Sequence, residues 1–348
     1  MTALPELKCL SLQSQQGIVI CLARKVGFFA LFFQVLGHIY HAEKAGLVPV
    51  VFFGSSCLYW SENGYTSRQG NAWEYYFEPI SALKVEEIFQ ESLDRLIHAS
   101  IHEYSEADIT HNPPEEYSGE LRGSILVPTN VKVTNCWADF DPGQEAIHED
   151  RRAVFHDLIT RRVRIIPSIQ GKIEQFYQAS FTESTVIGVH MRGTERSVEV
   201  MGWYQKRHLD ERTYMWEVDR ILKKTPNAQI FLATDTQTTV EKFRERYGDR
   251  LITYDARRSD EGQSPHLQFG GAVLGEQVLI ESIMLSRTNF LIHGISNVAF
   301  AALCFNPTLE HLNVYSTYGK SKALKMTFLS HVNSAIQRLK YQIKRVVK

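Results

Sequence analysis

Between residues 185 and 305 the chain repeats one pattern: a short apolar run, a polar turn, then a segment with apolar residues on successive helical turns. Strand-like runs fall at 185–191 (TVIGVHM), 229–233 (QIFLA), 251–254 and 289–293 (NFLIH). Helix-like segments fall at 212–223, 238–247, 275–286 and 296–304. Strands that alternate with helices return to one sheet through crossovers, so the pattern predicts a parallel α/β sheet. The same order opens the chain. Residues 17–22 (GIVICL) read as a strand, 28–45 as a helix opened by Gly27 and stopped by Gly46, and 47–53 (LVPVVFF) as a second strand. Residues 151–176 read as helix broken near Pro167. Two β/α halves predict two Rossmann-like domains facing a cleft. The 348 residues agree, being about twice an average domain of ~150. Residues 54–70 read as loop, and 103–118, with Asn112-Pro113-Pro114, as an exposed polar excursion.

Composition narrows what the cleft can hold. With 44% hydrophobic and 22% charged residues the chain can bury a full core. A formal net charge of -1 supplies no global field that would draw the protein to nucleic acid or anionic lipid. An anion must therefore be met by local positive charge. Cys9, Cys21, Cys57, Cys136 and Cys304 contain no CxxC pair. They are expected to be reduced thiols, which favours a cytoplasmic protein and argues against a zinc site. The longest apolar run, from Val26 to Leu36, is too short to span a bilayer. A soluble, unprocessed protein is expected.

In open parallel sheets, ligands bind outside the carboxyl ends of the strands. That rule selects Gly54 onward, His190 to Arg196, Asp235, Asp255, and His293 to Asn297. At the first strand end stands His190-Met191-Arg192-Gly193-Thr194-Glu195-Arg196. A guanidinium there can fork two oxygens of a phosphate, and Arg196 adds a second positive charge. Gly193 lets backbone approach a ligand. The competing reading is a local Arg192–Glu195 salt bridge. Asp235 ends the next strand in FLATD, where capping the following helix would also account for it. The glycines of Gly270-Gly271-Ala272-Val273-Leu274-Gly275-Glu276 could let a helix N-terminus approach an anion. No GxGxxG and no GxxxxGK[ST] motif is present, which disfavours an NAD-dependent enzyme and a P-loop protein.

Taken in order, VIGVHMRGTER, FLATD and GEQVLIESIMLSRTNFLIHGISNVAF resemble the α-1,6-fucosyltransferase family. That family comprises the nodulation and core fucosyltransferases and is related to the protein O-fucosyltransferases. GFFALFFQVLGHIYHAEKAGLVPVV and NAWEYYFEP, in the first half, are also similar to bacterial relatives. The resemblance implies a GT-B architecture with two Rossmann-like domains. The expected division is an acceptor-side domain at 1–177, a GDP-sugar domain at 178–325, and a C-terminal helix at 326–348 packing back on the first. It implies GDP-fucose as donor, inversion at the anomeric carbon, and no metal.

Residue by residue, the resemblance implies that Arg192 grips the diphosphate and that His190 lies beside guanine. Asp235 falls near the nucleoside, Glu281 is a guanine-recognising carboxylate, and Ser296 and Asn297 fall near the phosphate. The chain departs from the family at Gly193, where a second arginine is usual, and at Glu195-Arg196, where Asp-Lys is usual. Glu199 is the first candidate for the general base and Glu195 the second. For the acceptor, Trp60, Trp73 and Glu74 offer aromatic faces and a carboxylate to sugar rings. Core packing is the competing reading for the aromatics, and the favoured one for Phe77.

Other readings stay open. The donor could be another GDP-sugar, with a polysaccharide or lipid-linked glycan as acceptor. The chain could instead be a non-catalytic nucleotide-sugar or glycan-binding protein. His38 and His41 have a spacing that could hold a metal, though packing or hydrogen bonding explains them better. The basic segment from Lys340 to Lys348 could touch a membrane surface, or be a solvated helix face.

Overall fold

The computed structural model describes residues 18–83, 119–122, 125–128, 149–193, 210–259 and 269–315. It contains two sheets. The first is built from β1 (Ile18–Leu22), β2 (Val48–Phe52), β3 (Gly119–Arg122) and β4 (Ile125–Pro128), in the order β2-β1-β4-β3. β1 pairs in parallel with β2 and β4, and β3 closes that edge antiparallel to β4. Between β1 and β2 runs α1 (Phe28–Ala45), with the bounds the sequence pattern predicts. Gly46 ends it in the left-handed region at φ 68°, where a residue with a Cβ would be strained.

α2 (Glu149–Arg162) and α3 (Pro167–Ser180) follow, with Pro167 at the start of α3 where a missing N–H costs nothing. The expected boundary between residues 177 and 178 falls inside the last turn of α3. The second sheet comprises β5 (Val186–Met191), β6 (Gln229–Thr234), β7 (Leu251–Ile252), β8 (Phe290–His293) and β9 (Glu310–Asn313). All its pairings are parallel, in the order β7-β6-β5-β8-β9. The helices are α4 (Glu211–Leu222), α5 (Gln237–Tyr247), α6 (Gly271–Ser286) and α7 (Asn297–Phe305). The chain runs outward from β5 through β6 to β7, then crosses back to β8 and β9. The direction reverses between β5 and β8, and this switch point opens a crevice at their carboxyl ends. The two-sheet α/β organisation expected from the sequence is the one observed.

One hydrophobic cluster joins both halves. α7 packs on α1 and α2, and α6 packs on α3 and α1. The Phe305 ring lies 6.2 Å from Phe29 and 5.7 Å from Phe32. His156 Nδ1 is 3.0 Å from the Cys304 carbonyl oxygen. Cys21, Cys57 and Cys304 are buried and in no disulfide among the described residues, and burial pushes Cys21 and Cys57 up to about 12. His38 is buried in α1 with Nδ1 3.0 Å from the Gln34 carbonyl oxygen, which accounts for it by packing and hydrogen bonding.

Among the described residues no helix is long and apolar enough to cross a membrane. The polar excursion at 103–118, Cys9, Cys136 and residues 326–348, including the basic C-terminal segment, lie outside the described residues.

Candidate functional site

The polar residues of the second half converge on the switch-point crevice. His190 sits on β5 between Ala233 of β6 and His293 of β8. Arg192 emerges one residue past β5, with its side chain one-quarter exposed. Its Nε lies 3.8 Å from an Asp235 carboxylate oxygen. The other Asp235 oxygen accepts from the Gly193 N–H at 2.6 Å. Asp235 thus braces the arginine turn, one residue before Thr236, the N-cap position of α5. The Ser259 N–H donates to the Asp235 carbonyl at 2.8 Å, which ties in the loop after β7.

Gly193 has a packing reason as well. A Cβ there would stand 2.7 Å from the Thr236 side chain. A larger residue at this position, such as a second arginine, would have to displace Thr236.

Across the crevice, Ser296 caps α7, its hydroxyl accepting from the Val298 N–H at 3.3 Å. Asn297 opens the helix, and its Oδ1 is sealed from solvent with no partner among the described residues. The positive end of a helix and a guanidinium at the neighbouring strand end favour a negatively charged ligand between them. Glu281 lies on α6, buried, with Arg258 alongside. Burial pushes its carboxyl up to about 8; Arg258 opposes the rise and Asp235 adds to it.

His293 and His311 meet on β8 and β9. They form a pair, His293 buried and His311 half-buried, with Nε2 of His293 3.0 Å from Nδ1 of His311. Burial lowers His293 to about 3 and His311 to about 4, and Arg152 of α2 pushes both the same way. A depressed folded pKa stabilises the protein above the ordinary histidine value, and that stability is lost as pH falls. The urea midpoint should therefore drop as pH falls from about 6.5 toward 4. Replacing both histidines by asparagine should flatten that slope between pH 6.5 and 5; an unchanged slope would contradict the assignment.

The first half contributes the loop after β2. Tyr59 is buried, accepts from the Phe28 N–H at 2.7 Å, and feels the charge of Arg192. Trp60 is half-buried, with an indole N–H that finds no partner among the described residues. Glu74 is half-buried and accepts from Asn71 Nδ2 at 2.9 Å. Trp73 requires a correction. It is 2% exposed, its ring lies 4.3 Å from Phe77 in a stacked pair, and its Nε1 donates to the Glu78 carbonyl at 3.3 Å. No face is left for a sugar, so it is core. Phe77, at 1% exposed, is core as expected.

The glycine-rich start of α6 requires a second correction. Its first N–H does not await an anion: Gly271 N donates to the Leu58 carbonyl at 2.7 Å. The Tyr76 hydroxyl donates to the Ala272 carbonyl at 2.9 Å. Tyr65 donates to one oxygen of Glu276 at 2.8 Å, and Lys172 pairs with the other at 2.6 Å. The glycines bring α6 onto the loop of the first half, so the helix begins four residues before the expected 275. Glu195, Arg196 and Glu199 lie outside the described residues. The sequence reading passed over Arg258; the signal was the Arg257-Arg258 pair after the β7 strand end.

The sequence model of the Nodulation protein Z (NodZ) family matches residues 146–308. The matched stretch holds β5 to α7, with Arg192, Asp235, Glu281, Ser296 and Asn297 all inside it. No curated protein matches the chain. Among solved structures, a NodZ α-1,6-fucosyltransferase soaked with GDP-fucose is 17% identical, with a TM-score of 0.48 over 84% of this chain and 94% of that one. Fucosyltransferase NodZ from Bradyrhizobium is 16% identical, with a TM-score of 0.45 over 88% of this chain and 92% of that one. POFUT1 in complex with GDP-fucose is 10% identical, with a TM-score of 0.48 over 86% of this chain and 98% of that one.

Proposed function

We propose that the chain is a glycosyltransferase of GT-B type that moves fucose from GDP-fucose to a hydroxyl of a glycan acceptor. The observation that carries the reading is Arg192, at the switch point of a NodZ-family sheet and opposite the start of α7. A guanidinium there meets the diphosphate as negative charge develops on it, and its planar fork suits two phosphate oxygens. Transfer is an inverting single displacement. The acceptor hydroxyl attacks the anomeric carbon, the bond to the diphosphate breaks, and GDP leaves with the electron pair. Glu199 takes the hydroxyl proton, with Glu195 the second candidate, and Arg196 adds charge to the diphosphate side. His190, Gly193, Asp235, Glu281, Ser296 and Asn297 form the rest of the donor site. Trp60 and Glu74 line the acceptor side.

Arginine charge does the work of stabilising the leaving group, so the reaction needs no metal, and transfer should persist in excess chelator. The expected division of labour is acceptor on the first sheet and donor on the second. Base and diphosphate contacts do not read the hexose, so the sugar is tested by transfer from a panel of GDP-sugars.

Thermal unfolding with GDP, UDP, CDP and dTDP tests the nucleotide. A ligand that binds only the folded state raises the midpoint by mass action, by about 2.7 kcal/mol of stability at a hundred times its Kd. GDP should stabilise selectively. Stabilisation by UDP alone would overturn the donor assignment.

A further inference from the structure

The loop after β7 carries an arginine that the donor site described above leaves without a role. Arg258 and Glu281 face each other with side chains 8% and 10% exposed. The guanidinium donates to the Ala256 carbonyl at 3.0 Å and to the Tyr254 carbonyl at 2.7 Å. Its Nη2 stands 3.6 Å from Glu281 Oε1, beyond hydrogen-bond range but close enough for strong attraction in a buried site. Arg258 Nε and Glu281 Oε1 are both sealed and without a hydrogen-bond partner among the described residues. The loop itself is pinned. Gln277 of α6 accepts from the Arg257 N–H at 3.1 Å and donates to the Asp255 carbonyl at 3.2 Å, and Ser259 N–H holds Asp235.

We infer that Arg258 is a positioning residue for the nucleotide site, holding the loop after β7 against α6 and favouring the ionised form of Glu281 that meets the donor base. The inference rests on the reading of Glu281 as a base-binding carboxylate. An ionised carboxylate accepts two hydrogen bonds from two adjacent N–H groups of a base edge; a protonated one loses an acceptor and adds a competing donor. Among the described residues three groups bear on Glu281. Arg258, from the loop after β7, favours its charge; Asp235, at the end of β6, disfavours it; and Tyr254, at the end of β7, lies within range of its field. Arg258 is the only cation among these three. Removing it leaves a buried carboxylate facing another carboxylate, a situation proteins resolve by protonation.

The test is GDP binding to the full chain by calorimetry between pH 6 and 9.5, for the wild type, Arg258→Gln, Arg258→Lys and Glu281→Gln. Arg258→Gln keeps an amide that can reach the loop carbonyls while losing the charge. Wild-type affinity should rise about tenfold per pH unit below about 8, then level off. Arg258→Gln should move the levelling point up by about one unit and weaken GDP about tenfold at pH 7. Arg258→Lys should restore part of the shift, and Glu281→Gln should bind weakly with a flat profile. If Arg258→Gln weakens GDP by the same factor at every pH, or has no effect, the role is structural only and the inference falls. Should that variant not fold, an Arg258→Lys profile whose levelling point moves up by less than one unit supports the charge role, and a uniform loss across pH, or no change at all, overturns it. A wild type that ignores GDP, or a Glu281→Gln protein with wild-type affinity and pH profile, overturns the donor reading itself and the inference with it.

Discussion

An Arg192→Ala protein should fold normally and fail to turn over. Its side chain is one-quarter exposed and its ion pair with Asp235 is long, at 3.8 Å, so its loss takes little from stability. Partly exposed pairs of this kind contribute about 0–1 kcal/mol. Asp235 keeps its 2.6 Å hydrogen bond from the Gly193 N–H, so the turn after β5 should persist.

Catalysis is another matter, because the arginine is asked to act only as the diphosphate departs. Removing one donor aimed at developing charge typically costs about 10²–10³ in rate, and a full guanidinium should cost at least that. GDP affinity should also fall, since the product keeps its phosphates. Arg192→Lys should recover part of the binding but less of the rate, because an ammonium cannot fork two oxygens. Near-wild-type turnover of Arg192→Ala in a fucose transfer assay would remove Arg192 from the mechanism.

The parts of this protein that were legible in the sequence are those whose burial repeats along the chain. β5 is buried at every position and β6 at all but its first, so both read as short apolar runs. α1 carries apolar residues on most turns and ends at a glycine, so its limits could be read directly. β3 (GELR) and β9 (EHLN) are polar strands at sheet edges and show no such pattern. β7 pairs through only two residues.

The strand-end rule selects Arg192, Asp235, Ser296 and Asn297, and topology alone is enough to place them at the ends of the neighbouring strands β5, β6 and β8. It could not find the Arg258–Glu281 pair, whose meeting depends on how a loop folds onto a helix 23 positions away. Trp73 failed for a related reason. It lies in a stretch of turns, where no periodicity separates an inward ring from an outward one, and only its stack on Phe77 decides the matter.

The start of α6 shows the same limit and leads to the second large effect. Gly270 and Gly271 suggest an anion loop, yet the structure uses this end of the helix as a seam between the two sheets. At Gly275 a Cβ would stand 2.6 Å from Tyr76 Cζ and closer still to its hydroxyl oxygen, and 3.1 Å from Tyr59 Cδ1. Neither ring can yield easily. The Tyr76 hydroxyl is bonded to the Ala272 carbonyl, and the Tyr59 hydroxyl holds the Phe28 N–H. Both rings also pack edge-on against Phe28, at 5.0 Å and 5.3 Å. Gly275→Ala must therefore push α6 away from the first-half loop or break the Tyr76 bond.

On an open helix surface the same change would stabilise by up to about 1 kcal/mol. Here overpacking of about 1–3 kcal/mol should outweigh that gain, with the lost hydrogen bond adding about 1 kcal/mol. The urea midpoint should fall accordingly, and Gly275→Val should be worse. Because α6 also carries Glu281, GDP binding should weaken in the Gly275→Ala protein even under conditions where it remains folded. Restoring space with Tyr76→Phe, which removes the hydroxyl that a new Cβ meets first, should recover part of the stability of Gly275→Ala. An alanine at 275 that leaves both the midpoint and GDP affinity unchanged would show that the seam can widen freely, and would sink this account of why the glycine is there.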